Sequence, residues 1–214
     1  MTLNSKILVL FVVGGICIAL SAWAGKIYFQ HVDVATSGDT LIAEVTDKGG
    51  TGLPHIGGSF RLIDHHGNPR TDADFKGKYV MVYFGYSFCP DICPAALTNM
   101  SEALAALKEK AEQVHSLFIT IDPERDTIAH LARYIESFHP RFIALTGEPK
   151  QIEKVKKAYR VYGAKTKPDG TSTDYIMDHS SIIYVMDRQG RFIAHFNHAT
   201  PPHEMVRVLD ELIS

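Results

Sequence analysis

Cysteine is scarce: Cys17, Cys89 and Cys93 are the three in 214 residues. Three thiols are too few to staple a small scaffold, so the fold must rest on an apolar core. Charge of neither sign prevails. Twenty-two basic against 24 acidic side chains leave a formal net charge of -2, and no nucleic-acid partner is indicated. No internal repeat or low-complexity tract is evident. What is present is ordinary globular material, 45% hydrophobic and 21% charged, in a length that suits one domain with an appendage.

The appendage is N-terminal. Ile7 to Trp23 is apolar and free of charge, bracketed by Lys6 and Lys26. That length is at the short end for a membrane span, and Trp23 and Tyr28 can serve as interfacial anchors. Residues 1–24 therefore read as an uncleaved N-terminal transmembrane anchor. A cleaved signal segment is the rival, since Ala22-Trp23-Ala24 has the small-x-small pattern. The few residues before the span cannot form a domain. The rest of the chain is thus expected on the far side, which in a bacterium means a single-pass protein of the inner membrane with its domain in the periplasm. Cys17 lies within the apolar run after Gly14-Gly15-Ile16, a poor lipobox, and reads as a small apolar residue. Residues 25–55 are polar and Gly-rich and read as a tether, with a short hairpin around Thr40 to Val45.

From residue 56 to 214 the pattern alternates. Phe60 to Ile63 predicts a strand, closed by the turn-prone Asp64-His65-His66-Gly67-Asn68. Tyr79 to Phe84 is almost continuously apolar, as a strand covered on both faces would be. Leu97, Met100, Leu104, Leu107 and Ala111 recur at helical steps. Leu117 to Ile121 and Phe142 to Leu145 are further strands. Asp126 is placed to cap a helix with Ile128, Leu131, Ile135 and Phe138 on its buried face. Pro149 opens another through Ile152, Val155 and Tyr159. After a polar excursion from Lys165 to Thr173, Ser181–Met186 and Arg191–Phe196 form a hairpin through Asp187-Arg188-Gln189-Gly190, and Pro201-Pro202 starts a terminal helix. The predicted class is α/β: a thioredoxin-like fold with a central mixed β-sheet flanked by helices.

The chemistry gathers where the Tyr79–Phe84 strand hands over to its helix, at Cys89-Pro90-Asp91-Ile92-Cys93-Pro94. C-x-x-x-C is one residue longer than the usual redox pair and is not the haem-attachment motif. Pro94 suits a first helical position, which would place Cys93 near the N-cap, where the helix dipole favours a thiolate. His179 precedes the Ile182–Val185 strand. If that strand neighbours the one feeding Cys89, the imidazole reaches the thiols. Two thiolates and one imidazole form a soft three-coordinate set suited to Cu(I), and able to hold Cu(II); structural zinc usually takes four ligands. A thiol–disulfide oxidoreductase working through Cys89 and Cys93 without obligatory metal, or a redox sensor, is the alternative. A peroxide-reducing enzyme would need an activating set beside the cysteine, and none is identifiable.

Other residues carry less. Asp122 and Asp126 can tune the site or serve as caps and turn residues. Asp91 reads as a solvated turn residue, Met177 as a packing residue with an auxiliary-ligand role as the minor alternative. His65-His66 reads as a surface turn, and His195, His198 and His203 as surface or cap residues.

The segment Tyr83-Phe84-Gly85-Tyr86-Ser87-Phe88-Cys89-Pro90-Asp91-Ile92-Cys93-Pro94 closely resembles the copper-site signature of the Sco/SenC proteins. So do Ile121 to Thr127, Leu145-Thr146-Gly147 and Tyr175 to Ser180, in the same order. The resemblance runs from about Ile56 to the C-terminus. It implies a thioredoxin-like, membrane-tethered chaperone that binds a copper ion through Cys89, Cys93 and His179. It further implies an upstream copper donor and, as acceptor, the binuclear copper site of cytochrome c oxidase subunit II, served by copper delivery, by reduction of its cysteines, or by both. The Lys165–Thr173 excursion departs softly from the family pattern and would bear on partner contact.

Overall fold

The computed structural model describes residues 55–167 and 175–214. The expected anchor at 1–24, the hairpin near Thr40 and Cys17 lie outside the described residues. Among the described residues no helix is long and apolar enough to cross a membrane.

Among the described residues, nine strands and four α-helices follow the alternating pattern. In chain order they are β1 (Arg61–Asp64), β2 (Pro69–Thr71), β3 (Tyr79–Gly85), α1 (Ile92–Leu107), β4 (Val114–Thr120), α2 (Ile128–Ile135), β5 (Phe142–Thr146), α3 (Pro149–Ala158), β6 (Gly163–Thr166), β7 (Ile176–His179), β8 (Ile182–Met186), β9 (Phe192–Asn197) and α4 (Pro202–Ile213). Seven strands form one sheet in the order β2-β1-β5-β4-β3-β8-β9. Its middle is parallel (β5, β4, β3), joined by the helical crossovers that parallel pairing requires. β8 pairs with β3 and β1 with β5, both antiparallel. The result is the expected central mixed sheet flanked by helices.

Every β3 residue after Tyr79 is buried, because the interior of such a sheet is covered on both faces. The core joins β3, β4 and β8 to the apolar face of α1; Phe84, Phe118, Leu97, Met100 and Leu104 are fully enclosed. Leu131 and Ile135 of α2 are buried, while Ile128 is exposed and Phe138 lies beyond the helix, partly buried against the core. The hairpin forms as expected. β8 and β9 pair antiparallel, and the Asp187 carboxylate accepts from the backbone N–H of Gln189 and Arg191 at 2.9 and 2.8 Å. Gly190 supplies the positive φ that turn needs.

Three local expectations are corrected. Helix α1 stops at Leu107, and Ala111 belongs to a short 3-10 turn over Lys108–Gln113; Lys108 at φ 51 breaks the helical run, although Ala111 remains buried. Asp126 does not cap α2. Thr127 does, its hydroxyl accepting from the His130 N–H at 3.2 Å. The helix bearing the second thiol begins at Ile92, so Pro94 is the third helical residue and Asp91 the N-cap. Proline is tolerated there because the first-turn N–H groups have no intrahelical partner. Three short strands, β2, β6 and β7, carry no legible alternation, being three or four residues long.

Candidate metal centre

The thiols stand at the carboxyl end of β3, where open α/β sheets place their sites. After Gly85 the chain leaves the sheet, and the Cys89 N–H bonds back to the Tyr86 carbonyl at 3.2 Å. Cys93 follows in the first turn of α1, fully buried, while Cys89 is half-buried; both thiols are free. Gly85 is required by close approach: a Cβ there would lie 2.9 Å from the Cys93 sulfur and 2.9 Å from Phe118.

His179 ends β7 and faces the thiols from across β3. Its Nε2 is 3.4 Å from the Cys93 sulfur, and its Nδ1 is 3.0 Å from the Ser180 carbonyl. A carbonyl only accepts, so Nδ1 carries the proton and the Nε2 lone pair is aimed at the sulfur, a tautomer assigned from the hydrogen bond. Tyr83 and Tyr86 meet the imidazole edge-on, with ring centroids 6.3 and 5.8 Å away. The ligating atoms of Cys89, Cys93 and His179 lie within 4.8 Å of one another. Among the described residues this is the one His/Cys/Asp/Glu group that converges enough to hold a metal ion.

The two thiols are inequivalent. A hydrogen bond from the Cys93 thiol, opposed by burial and helped by the His179 imidazole and by the backbone N–H groups of Asp91 and Cys93, pulls Cys89 down to about 3. Cys93 is pushed well up, by that same bond first and by burial second. The Cys93 N–H points at the Cys89 sulfur, 3.4 Å away. The anion therefore sits on Cys89, outside the helix, where the first-turn N–H groups converge on it. The sequence pattern had placed the favoured thiolate at Cys93. The hydrogen bond to Cys89 reverses that first, and enclosure in the core second, because a buried sulfur loses the hydration a charge needs. The Tyr83 phenol, held protonated by burial, donates to the Cys93 sulfur at 3.7 Å.

The loop before the thiols is fastened from below by Asp126. This carboxylate is wholly buried and accepts from the Ser87 N–H at 3.1 Å, from the Ser87 hydroxyl and from the Thr120 hydroxyl at 2.5 Å. Burial raises its pKa, against those bonds. Asp122 is likewise buried, pairing with Arg125 at 2.5 Å and accepting from the Tyr175 phenol at 2.8 Å. Both aspartates thus brace loops around the site. Asp91 is exposed. Met177 is packed in the core. His65 takes the Ala144 N–H on Nδ1 at 3.1 Å, so the His65-His66 turn holds structure. His195 stacks on Phe192, and the His198 carbonyl accepts from Asn99. Sequence reasoning assigned no role to Arg125, Tyr83, Tyr86 or Tyr175. The Asp122-x-x-Arg125 spacing was the available signal for the first.

Residues 48–214 match the family model described as SCO1/SenC. The chain belongs to the SCO1/SenC family. Among curated relatives of this SCO1/SenC chain, Protein sco1 of Schizosaccharomyces pombe is 40% identical over 187 residues, covering 85% of this chain and 69% of that protein. The mitochondrial SCO2 homolog of Bos taurus is 44% identical over 144 residues, 66% of this chain and 54% of its own length, so only about half of that relative is spanned. Among solved structures, copper-bound ScoI of Bradyrhizobium japonicum superposes with a TM-score of 0.68 at 44% identity, covering 73% of this chain and 99% of that one. Copper-bound yeast Sco1 gives 0.67 at 38%, covering 74% and 88%. The thioredoxin-like fold expected from the strand–helix order is that of this family.

Proposed function

We propose that this protein is a membrane-tethered copper chaperone for cytochrome c oxidase assembly, holding one copper ion through Cys89, Cys93 and His179. The observation that carries the reading is the convergence of two sulfurs and an imidazole nitrogen within 4.8 Å at the mouth of the sheet. The imidazole tautomer leaves Nε2 free to ligate. Soft ligands in threefold number suit copper, and the related ScoI and Sco1 structures hold it. The cargo's acceptor is the binuclear copper site of subunit II, and residues 1–24 hold the protein to the inner membrane with its domain in the periplasm.

The residues divide the work. Cys89 is already the thiolate and takes the ion first. Cys93 gives up its proton on binding, so retention weakens in acid. Delivery proceeds by ligand exchange, the acceptor's thiolates replacing these one at a time. His179 leaves first, since it stands on the β6–β7 ribbon, outside the main sheet.

The test is metal content and visible absorption of the full-length chain after reduction and copper loading, beside His179→Ala. One tightly held copper per chain with thiolate-to-Cu(II) charge-transfer bands, lost without His179, is expected. Weak or absent binding in both would sink the reading.

The low pKa of Cys89 favours a second reading, reduction of the acceptor's disulfide. The Cys89 thiolate attacks one sulfur and expels the other as thiolate, leaving a mixed disulfide. Cys93, its proton passing to the expelled thiolate, attacks Cys89 and releases the acceptor's second sulfur. Two electrons move to the acceptor, and Cys89 and Cys93 end as a disulfide. That chemistry survives His179→Ala, whereas copper retention does not.

A further inference from the structure

The imidazole is the one ligand of the three carried by a strand outside the main sheet, whereas both thiols follow directly from β3. β6 and β7 pair only with each other, Gly163 opposite His179 and Thr166 opposite Ile176. An isolated two-stranded ribbon is marginal in water, so something other than the ladder must fix where His179 stands.

Arg125 occupies the joint. Its Nη1 donates to the Tyr175 carbonyl at 3.1 Å, and its guanidinium lies 3.8 Å from the centre of the Tyr175 ring, one residue before β7. The same guanidinium lies 4.9 Å from the centre of the Phe88 ring and 5.7 Å from that of Tyr86. Phe88 directly precedes Cys89 and stacks on His130 with centroids 4.7 Å apart. Arg125 is itself fixed by the buried Asp122, which accepts from its Nε at 2.5 Å and also from the Tyr175 phenol. One planar cation thus touches the loop that carries a thiol and the ribbon that carries the imidazole. The ribbon has other ties: Met177 packs in the core, the Tyr83 and Tyr86 rings meet the imidazole edge-on, and the Ser180 N–H bonds to the Tyr162 carbonyl at 3.1 Å, but none of these joins the ribbon to Phe88. The Lys165–Glu124 pair is exposed and contributes little, while Lys156 reaches the Gly163 carbonyl at 3.2 Å.

We propose that Arg125 is a positioning residue of the metal centre, in contact with both the Phe88 and Tyr175 rings so that it sets the reach of His179 to the two thiols. Lysine cannot substitute, because it has neither the plane to stack on two rings nor the fork to bond Asp122 and the Tyr175 carbonyl together. The copper part of the test rests on the chaperone reading; the metal-free part does not.

The full-length chain is compared with Arg125→Met, Arg125→Lys and Tyr175→Leu, each also in a His179→Ala background. In the metal-free protein, amide hydrogen exchange over 163–166 and 176–179 should speed up about tenfold in Arg125→Met, with α1 unchanged. Arg125→Lys should fall between. After Cu(I) loading, release to a chelator should be on the order of 10- to 100-fold faster in Arg125→Met, the range for residues that orient a ligand. In the His179→Ala background Arg125→Met should add no further loss. A merely structural arginine would lower the melting temperature and speed release alike with or without His179, and that outcome overturns the proposal. So does unchanged ribbon exchange. If Arg125→Met does not fold, Arg125→Lys and Tyr175→Leu decide by the same measurements. If the unmodified protein holds no copper, the chaperone reading falls, and ribbon exchange alone judges Arg125.

Discussion

Replacing Asp126 by alanine tests whether the thiol loop is held from beneath. The carboxylate is fully enclosed and accepts three hydrogen bonds, two from Ser87 and one from Thr120. Hydrogen bonds to a charged group contribute roughly 1.5–3 kcal/mol each. The sum is not the answer, because burying the carboxylate is itself costly, as its raised pKa records. Alanine also strands the Ser87 and Thr120 donors without their acceptor. A net loss of about 3 kcal/mol follows from these opposing terms. For a domain of this size that lowers the melting temperature by about 6–12 °C. Asp126→Asn keeps an acceptor oxygen and the shape, and should lose about half as much. The assay is thermal unfolding by circular dichroism at neutral pH, paired with alkylation kinetics at Cys89, two residues beyond Ser87. The two variants should rank alanine below asparagine in both. An alanine variant melting within about 1 kcal/mol of the parent, with unchanged alkylation, would refute the argument that Asp126 fastens the loop.

Three further expectations concern the site and its frame. In the reduced, metal-free protein, iodoacetamide should modify Cys89 at a rate flat through the neutral and mildly acidic range. The rate should fall only as the pH nears about 3, and Cys93→Ala, which removes the hydrogen bond chiefly responsible, should move that fall to higher pH. Gly85→Ala puts a methyl group 2.9 Å from the Cys93 sulfur and from Phe118. It should cost about 1–3 kcal/mol by denaturant unfolding and weaken copper retention in a chelator competition. Asp64 is raised by burial, but more strongly lowered by bonds from Asn68, Arg70 and His66, and is held at about 2. Its folded value lies below the ordinary aspartate value of 3.8, so its contribution is complete above that value and is lost as the pH falls through about 2. Asp64→Asn should therefore destabilise by about 1.5–3 kcal/mol at neutral pH, a difference that vanishes in strong acid.

The sequence by itself determined the elements whose signal is local. The unbroken apolar run of β3, the three-and-four spacing of Leu97, Met100 and Leu104, and the Asp187-to-Gly190 turn each report a periodicity or a turn that neighbouring residues dictate. It also determined the kind of chemistry, since two thiols and an imidazole are a soft ligand set whatever the fold around them. The tertiary structure decided the rest. His179 lies 86 residues from Cys93, and only the antiparallel pairing of β8 with β3, together with the short β6–β7 ribbon, brings them together. Which cysteine carries the charge was also beyond the motif. The helix start favours both sulfurs, and the hydrogen bond between them, with the deeper burial of Cys93 second, breaks the tie. The same holds for the bonds of Asp126 to Ser87 and of Arg125 to the Tyr175 carbonyl, 39 and 50 residues away. A side chain's local sequence fixes what it can bond, while the packing of remote segments fixes what it meets and how much water remains.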